Sequence, residues 1–168
     1  MQVETPVSVK EYLTTVYEHD CDYVDGVLEE REGCERDHSR LQALVAAYCL
    51  AHEKEWGVRG LIEQRIKISP TRFRVVDVLL VDPANREQII TSPPLLCIEV
   101  LSAEDRFMSI TDRAHDYRDM GVPDVWFIDA PTRVCYAYSK TARFHQVMSG
   151  ILTTSDGRFT LNVAELGE

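Results

Sequence analysis

The sequence predicts an α+β domain with a mixed central sheet, and three observations carry that prediction. Two apolar segments, residues 73–81 and 95–101, follow each other and are typical of strands buried on both faces. Helical periodicity precedes and follows them, near residues 37–56 and 104–120. Beyond residue 130, short apolar segments alternate with turn dipeptides, which predicts a C-terminal β-hairpin extension. A chain of 168 residues fits one domain, 1–168, around one core.

The N-terminal third predicts a short helix, a hairpin and a long helix. Ser8 and Glu11 have the spacing of a capping box. The dipeptide Asp25-Gly26 is a strong signal for a two-residue hairpin turn. Asp37 is the predicted N-cap of the long helix, and Gly57 suits its C-terminal end.

The central region predicts four strands and a third helix. We expect the sheet from residues 58–68, 73–81, 95–101 and 124–128. The first strand alternates, so Ile62 should share a face with Ile66 and Ile68, with Glu63, Arg65 and Lys67 on the opposite face. The helix near 104–120 should end at Gly121 and Pro123.

Composition places the chain among ordinary globular proteins, with 45% hydrophobic and 27% charged residues. No apolar segment approaches the roughly 20 residues of a membrane span. The N-terminus lacks the basic start and apolar core of a signal peptide, so we expect a cytoplasmic protein. The five cysteines, which include Cys34, form no Cys-x-x-Cys pair, and we expect reduced thiols rather than a zinc site.

The formal net charge of −10 makes the chain a poor nonspecific DNA binder, because phosphate contacts need positive surface. The acidic excess is concentrated in residues 1–56, whereas residues 57–118 are balanced. The charge therefore weakens a nucleic-acid role without excluding it, since the balanced segment leaves room for a local basic face at Arg59, Arg65, Lys67, Arg72 and Arg74.

Asp77 and Glu99 are the strongest functional candidates, because each carboxylate interrupts an apolar strand. An ionised carboxylate in such a place is costly unless it is paired, hydrogen-bonded or bound to a cation. Two of them on consecutive strands favour one shared divalent metal. Each could instead be satisfied separately by an arginine or by backbone donors, and the two residues alone leave both explanations open.

An ordered set of short motifs runs through most of the chain and resembles one nuclease family. Any single motif is weak, but the order is specific, above all Glu-Val-Leu-Ser followed by a helix and Gly-Val-Pro-x-x-Trp. The set is similar to that of the Uma-two family of restriction endonucleases, within the PD-(D/E)xK nuclease superfamily. The motifs are Tyr23-Val24-Asp25-Gly26, Asp37-His38, Glu63-Gln64-Arg65, Val76-Asp77-Val78, Ile98-Glu99-Val100-Leu101-Ser102, Gly121-Val122-Pro123 and Trp126-Phe127-Ile128-Asp129.

This resemblance implies a restriction-endonuclease-like core, ordered helix, three strands, helix, strand, and a metal site within it. Asp77 and Glu99 match the family's two metal carboxylates, and the backbone carbonyl of Val100 matches a third ligand. Oxygen-only ligation suits Mg²⁺ or Mn²⁺. The implied activity is hydrolysis of DNA phosphodiester bonds.

The sequence departs from the family pattern at its lysine. The position two residues after Glu99 is Leu101, and the alternative pattern Asp-x-x-x-Lys-x-x-x-Tyr, counted back from Tyr117, places Arg113 at the lysine and Ser109 at the aspartate. Arginine cannot act as a general base, although it can hold a phosphate. Catalysis would then depend on a metal-activated water, or on Glu63 or His38 as proton acceptor.

Two alternatives to an active nuclease follow. Arg113 could pair with Asp112, Asp116 or Glu99 itself and replace the metal, which would leave a degenerate nuclease fold that binds nucleic acid or a protein partner without cleavage. The chain could also be an unrelated α+β binding module with structural carboxylates, in which Asp77 and Glu99 would lie far apart.

The C-terminal hairpins predict an assembly as well as a fold. They are rich in aromatic residues and exceed what a minimal nuclease core needs, so a homodimer is expected if these residues are exposed. The alternative is that they close a second small core. The residues are Tyr136, Tyr138, Phe144 and Phe159.

Overall fold

The computed structural model describes residues 6–18, 20–31, 35–102 and 107–167. Cys34 and the predicted helix start at 104–106 lie outside these residues. The other four cysteines are buried free thiols, as the sequence predicts.

Three α-helices, ten strands and a final 3₁₀ helix make up the described chain. The helices are α1 (Val9–Thr14), α2 (Arg36–Trp56) and α3 (Phe107–Met120), and the 3₁₀ helix spans Val163–Leu166. The strands are β1 (Cys21–Val24), β2 (Val27–Glu30), β3 (Arg59–Ser69), β4 (Arg72–Val81), β5 (Leu96–Leu101), β6 (Asp124–Asp129), β7 (Cys135–Ser139), β8 (His145–Gln146), β9 (Ile151–Thr153) and β10 (Thr160–Asn162).

Eight strands form one mixed sheet, which confirms the predicted fold class. The order is β2-β1-β4-β5-β6-β7-β8, and β3 pairs with the remaining edge of β4. All of these pairs are antiparallel except β5 with β6, which are joined through α3 and run parallel. β9 and β10 form a separate antiparallel pair, so the C-terminal extension consists of hairpins as predicted.

The sheet forks at β4, and the fork creates room for a site. β3 pairs along one edge of β4 for nearly its whole length. On the other edge, β1 pairs at Arg72 and Phe73, and β5 pairs at residues 78–80. Between these two points, residues 74–77 have no ladder partner on that edge among the described strands. Side chains therefore have to satisfy part of the backbone there.

Two apolar layers hold the sheet between α2 and α3. On one face Leu41 and Val45 of α2 pack with alternate residues of β4 and β5, such as Val78 and Ile98. On the other face Ile110, Ala114 and Tyr117 of α3 pack with the intervening residues Leu79, Cys97, Val125 and Phe127. Burial on both faces explains why β4 and β5 are apolar throughout.

Two local predictions are wrong. Glu35, not Asp37, is the N-cap of α2, and Asp37 lies within the first turn. Ile62 is 56% exposed instead of sharing the buried face of Ile66. The reason is Glu63, whose left-handed φ of 48° interrupts the regular alternation of β3, so that Leu61 packs in the layer of Ile66.

Other N-terminal predictions are confirmed. The Ser8 side chain accepts a hydrogen bond from the Glu11 N–H at the start of α1. Asp25 and Gly26 both have positive φ, at 50° and 97°, as a two-residue hairpin turn requires. A side chain at Gly26 would also meet Pro6, whose Cβ lies 2.9 Å from the position of an added Cβ.

The C-terminal aromatic residues pack largely inward. Phe159 is buried with Trp56, and Phe144 packs against Phe127 and Tyr136 at centroid distances of 5.5 and 5.2 Å. The arrangement favours the second small core over an exposed patch, and the homodimer stays a prediction. Among the described residues, none of the helices has the length and apolarity needed to cross a bilayer.

Candidate active site

The fork in the sheet opens onto a polar cavity of about 370 Å³. Strands β4 and β5 contribute its floor, α3 one wall, and the end of the β1–β2 hairpin another. The cavity brings together four of the five predicted site residues with the predicted backbone ligand, and Glu63 is not in its lining. Its lining includes Arg31, His38, Asp77, Glu99, Val100 and Arg113.

Asp77 is fully enclosed, with 1% of its surface exposed. One carboxylate oxygen, Oδ2, accepts a hydrogen bond of 2.7 Å from the backbone N–H of Val100. The Nε2 atom of His38 lies 3.6 Å from the same oxygen. The other oxygen, Oδ1, is paired with the guanidinium of Arg31.

Glu99 is equally enclosed, with 1% of its surface exposed, and its partners come from α3. Arg113 donates to Oε2 at 3.1 Å, and the Tyr117 hydroxyl donates to Oε1. Residues 113 and 117 lie one helical turn apart, so both face β5. Of the predicted partners for Arg113, the structure selects Glu99 rather than Asp112 or Asp116.

Asp22 connects this cavity to the hairpin. Its Oδ1 accepts the backbone N–H of Val75 at 2.7 Å, at a point where β4 has no strand partner on that edge. Its Oδ2 lies 3.2 Å from Arg113 and 3.0 Å from Arg74. Arg74 also contacts Asp116 of α3, so buried ion pairs connect the hairpin, the sheet and α3.

The predicted basic face is occupied by ion pairs. Arg59 contacts Glu53 at 3.0 Å, and Arg65 contacts Asp20 at 3.1 Å. Arg72 contacts Asp116 at 2.7 Å, and Arg74 is paired as described above. The positive charge of β3 and β4 is therefore largely neutralised within the molecule.

The two carboxylates differ in their pKa values. Burial alone would raise the pKa of Asp77, but the contact with His38 and the charge of Arg31 lower it to about 2. Burial raises the pKa of Glu99, and the nearby Asp77 charge adds to the rise that Arg113 opposes. Burial lowers the pKa of His38, but Asp77 outweighs it and the net shift is upward.

Glu63 lies at the edge of this arrangement rather than in the cavity lining. Its side chain is about half exposed, and its carboxylate contacts Arg31 and the Gln42 amide. Gln42 also lies 3.4 Å from the backbone oxygen of Asp77. Ser109, at the family's aspartate position, does line the cavity.

Sequence patterns alone did not indicate Arg31, Asp22 or Gln42. Asp22 carried a weak signal, because it lies beside the apolar residues Cys21 and Tyr23 in a short strand. Arg31 carried none, since its contact with Asp77 spans 46 residues of sequence.

The donor set fits a hard divalent cation. Two buried carboxylates and the neighbouring Val100 backbone face one cavity, and oxygen donors are what Mg²⁺ and Mn²⁺ prefer. Burial is the main cause of the raised pKa of Glu99, so its ionised carboxylate is costly unless a positive charge lies beside it. Among the described residues, no cluster of three or more His, Cys, Asp or Glu side chains has metal-binding geometry, so a cation would rely on backbone and water oxygens.

Comparison with known proteins identifies the family. The model of the Uma2 family, described as "Putative restriction endonuclease", matches residues 9–156. The chain belongs to the Uma2 family. The match includes both carboxylates, Arg113 and nearly all of the central sheet.

A solved structure shares this Uma2 fold. It is described as "a putative nuclease belonging to DUF820 from Anabaena variabilis ATCC 29413", and it superposes with a TM-score of 0.81 at 17% sequence identity. The alignment covers 96% of this chain and 97% of that chain, so the C-terminal hairpins belong to the shared fold. Among curated proteins, none matches this chain significantly.

Proposed function

We propose that this Uma2 protein is a metal-dependent endonuclease that hydrolyses DNA phosphodiester bonds. One observation carries the proposal: Asp77 and Glu99 reach the same cavity from adjacent strands, although each is almost fully buried. Buried carboxylates that share a cavity in a nuclease-like fold are best explained by a cation site. Nucleic acid as substrate is supported by the family description.

Asp77, Glu99 and the carbonyl of Val100 would hold Mg²⁺ or Mn²⁺. A bound divalent cation supplies charge stabilisation to the scissile phosphate and lowers the pKa of a nearby water. Arg31 has to release Asp77 Oδ1 for this to happen, because the other oxygen, Oδ2, already accepts the Val100 N–H. Tyr117 keeps Glu99 oriented through its hydroxyl hydrogen bond.

Arg113 is suited to bind a phosphate oxygen rather than to accept a proton, since its guanidinium stays charged. It already lies in the cavity lining beside Glu99. His38 carries a raised pKa through its contact with Asp77, so it is better suited to donate a proton to the leaving oxygen than to accept one. Glu63, which lies at the edge of the active-site cavity, remains the candidate proton acceptor.

A specific observation favours a second function, nucleic-acid or protein binding without cleavage. Both predicted metal carboxylates already have arginine counter-ions, Arg31 and Arg113. In that case the two arginines would replace the metal permanently. Loss of the motif lysine agrees with this second function.

Nicking of supercoiled plasmid separates the two functions. We expect the wild-type protein to nick in Mg²⁺ or Mn²⁺ and to be inactive in EDTA. Asp77→Asn and Glu99→Gln should remove the activity, whereas Asp82→Asn, just beyond β4 and outside the cavity, should retain it. Plasmid binding without any metal-dependent nicking would establish the second function instead.

A further inference from the structure

A second cavity of about 580 Å³ adjoins the candidate active site, and three arginines line it. It lies between the first turns of α2, the turn joining β6 to β7, and the C-terminal 3₁₀ helix. Arg36 and Arg40 come from α2, and Arg133 comes from the turn.

The linings of the two cavities include neighbouring residues at two places in the fold. His38 lines the active-site cavity, and its neighbour Asp37 lines the second one. Leu101 lines the first cavity, and Ala130, which donates its N–H to the Leu101 oxygen at 2.9 Å, lines the second. The linings of the two cavities are therefore close to each other at these two points.

The charge of the second cavity contrasts with the rest of the molecule. Its charged side chains are three arginines and one aspartate, in a chain with a formal net charge of −10. The Arg36 side chain is 91% exposed, and it lies 3.6 Å from Asp37. Such an exposed pair contributes little stability, so Arg36 can turn to an incoming anion at small cost.

Arg133 adds a second, independent observation. Its backbone has a φ of 61°, a left-handed conformation that favours glycine over residues with a side chain. Its Nη1 atom is buried and has no hydrogen-bond partner among the described residues. Buried donors in native proteins usually have a partner, so this donor is available to an acceptor such as a phosphate oxygen.

We propose that this cavity binds a backbone phosphate of the nucleic-acid strand whose neighbouring phosphodiester lies at Asp77 and Glu99. Guanidinium groups match phosphate oxygens in charge and geometry, which is why arginine is favoured for this ligand. The inference rests on the proposed nuclease function. It assigns Arg36 and Arg133 to substrate binding, outside the cleavage chemistry.

The test is the salt dependence of DNA binding in EDTA, measured by fluorescence anisotropy with a labelled 24-base-pair duplex. The variants are Arg36→Gln, Arg133→Gln and the double substitution. The control is Arg59→Gln. Arg59 is an exposed arginine at the start of β3, where it pairs with Val81 at the C-terminal end of β4. Each lost phosphate contact should reduce the slope of log affinity against log salt by about 0.9, and the control should retain the wild-type slope.

The test remains informative if Arg133→Gln fails to fold. Arg36 is exposed, so Arg36→Gln should fold and can be measured alone. An unchanged slope in the double variant, with wild-type protein that binds and nicks DNA, overturns the inference and leaves the proposed function intact. An equal fall in the Arg59 control also overturns it. Wild-type protein that neither binds nor nicks DNA overturns the proposed function and this inference together.

A competition experiment with inorganic phosphate distinguishes a phosphate of the DNA strand from free phosphate as the ligand of this cavity. We expect millimolar phosphate to weaken DNA binding by wild-type protein more than binding by the double variant, because it competes for the cavity. Phosphate that raises the melting temperature of wild type alone, with DNA binding unaffected by the substitutions, would show a free-phosphate site and overturn the assignment to the strand.

Discussion

Glu63 and Asp77 lie at a gap in the β3–β4 register, and Arg31 contacts the carboxylates of both residues. The ladder continues on either side, where Ile62 pairs with Val78 and Gln64 with Val76. The left-handed backbone of Glu63 removes this one position from the regular pairing. The distortion therefore occurs beside the arginine that neutralises the buried Asp77.

Strain at Glu63 should be measurable by comparing two substitutions. Glu63→Ala and Glu63→Gly both lose the contacts with Arg31 and Gln42, but only glycine adopts a φ of 48° without strain. We expect Glu63→Gly to be more stable than Glu63→Ala by about 0.5–1 kcal/mol in urea unfolding. At Lys67, an exposed residue of the same strand without a positive φ, the order should reverse. The same order at both positions would contradict strain at Glu63.

Arg31 should compete with metal for Asp77. Arg31→Met keeps much of the side-chain volume but removes the charge, so we expect Mn²⁺ to bind at least about tenfold more tightly in calorimetry, since a charged hydrogen bond contributes about 1.5–3 kcal/mol. The metal-free variant should melt at a lower temperature, because Asp77 loses its counter-ion. Arg65→Met, which removes the peripheral ion pair with Asp20, should leave Mn²⁺ affinity unchanged. Weaker Mn²⁺ binding by Arg31→Met would mean that Arg31 helps to hold the metal.

Arg113→Lys tests the missing lysine of the motif. Arg113 contacts Glu99 and Asp22 at once, at 3.1 and 3.2 Å, and a single ammonium group cannot reproduce that fork. We expect a loss of roughly 1–3 kcal/mol in unfolding free energy, together with faster Mn²⁺-dependent plasmid nicking because a titratable amine returns. A stable variant with no gain in nicking would indicate that Arg113 is a counter-ion of Glu99 and no part of the chemistry.

The pKa of Glu99 predicts how stability depends on pH. In the folded state burial raises the pKa of Glu99 to about 8, whereas the unfolded carboxyl loses its proton near the ordinary pKa of 4.5. The unfolded state therefore binds fewer protons between these values, and stability falls as pH rises, by at most about 1.4 kcal/mol per pH unit. We expect wild type in EDTA to lose stability relative to Glu99→Gln between pH 5 and 8. A constant difference over that range would contradict the raised pKa.

The same proton should oppose metal binding. Since a protonated carboxyl must release its proton to bind a cation, Mn²⁺ should raise the melting temperature more at pH 8 than at pH 6. Asp77, with a pKa of about 2, stays ionised over this range and contributes no such dependence. An Mn²⁺ effect that is independent of pH would place the metal away from Glu99.

The sequence predicted the larger features of the fold because they depend on burial and turn chemistry. Strands β4 and β5 could be recognised because both of their faces are apolar. The turn at Asp25-Gly26 could be recognised because this dipeptide tolerates positive φ. The prediction of which β3 side chains face solvent was wrong at Ile62. Periodicity assumes a regular backbone, and Glu63 departs from it. Propensities do not reveal a single left-handed residue in a strand.

The candidate site was predictable only where a residue contradicted its surroundings. Asp77 and Glu99 are charged residues in apolar strands, which is visible in the sequence. Arg31 ends an ordinary polar hairpin, and its importance follows from the fork that brings β1 and β5 to one edge of β4. Pairing between strands that are distant in the sequence produces no periodic pattern of residues, so the sequence does not reveal it.

The ion pairs among Asp22, Arg74, Asp116 and Arg113 restrict how homologous chains can vary. Arg74 contacts Asp22 at 3.0 Å and Asp116 at 2.7 Å, and all three are almost fully buried. Replacing one partner leaves an unbalanced charge in the interior at a cost of about 3–5 kcal/mol, which is comparable to the whole stability of many domains. Natural relatives should therefore gain or lose these residues in compensating pairs. Such covariation would show that the contact among hairpin, sheet and helix has been under selection in the family.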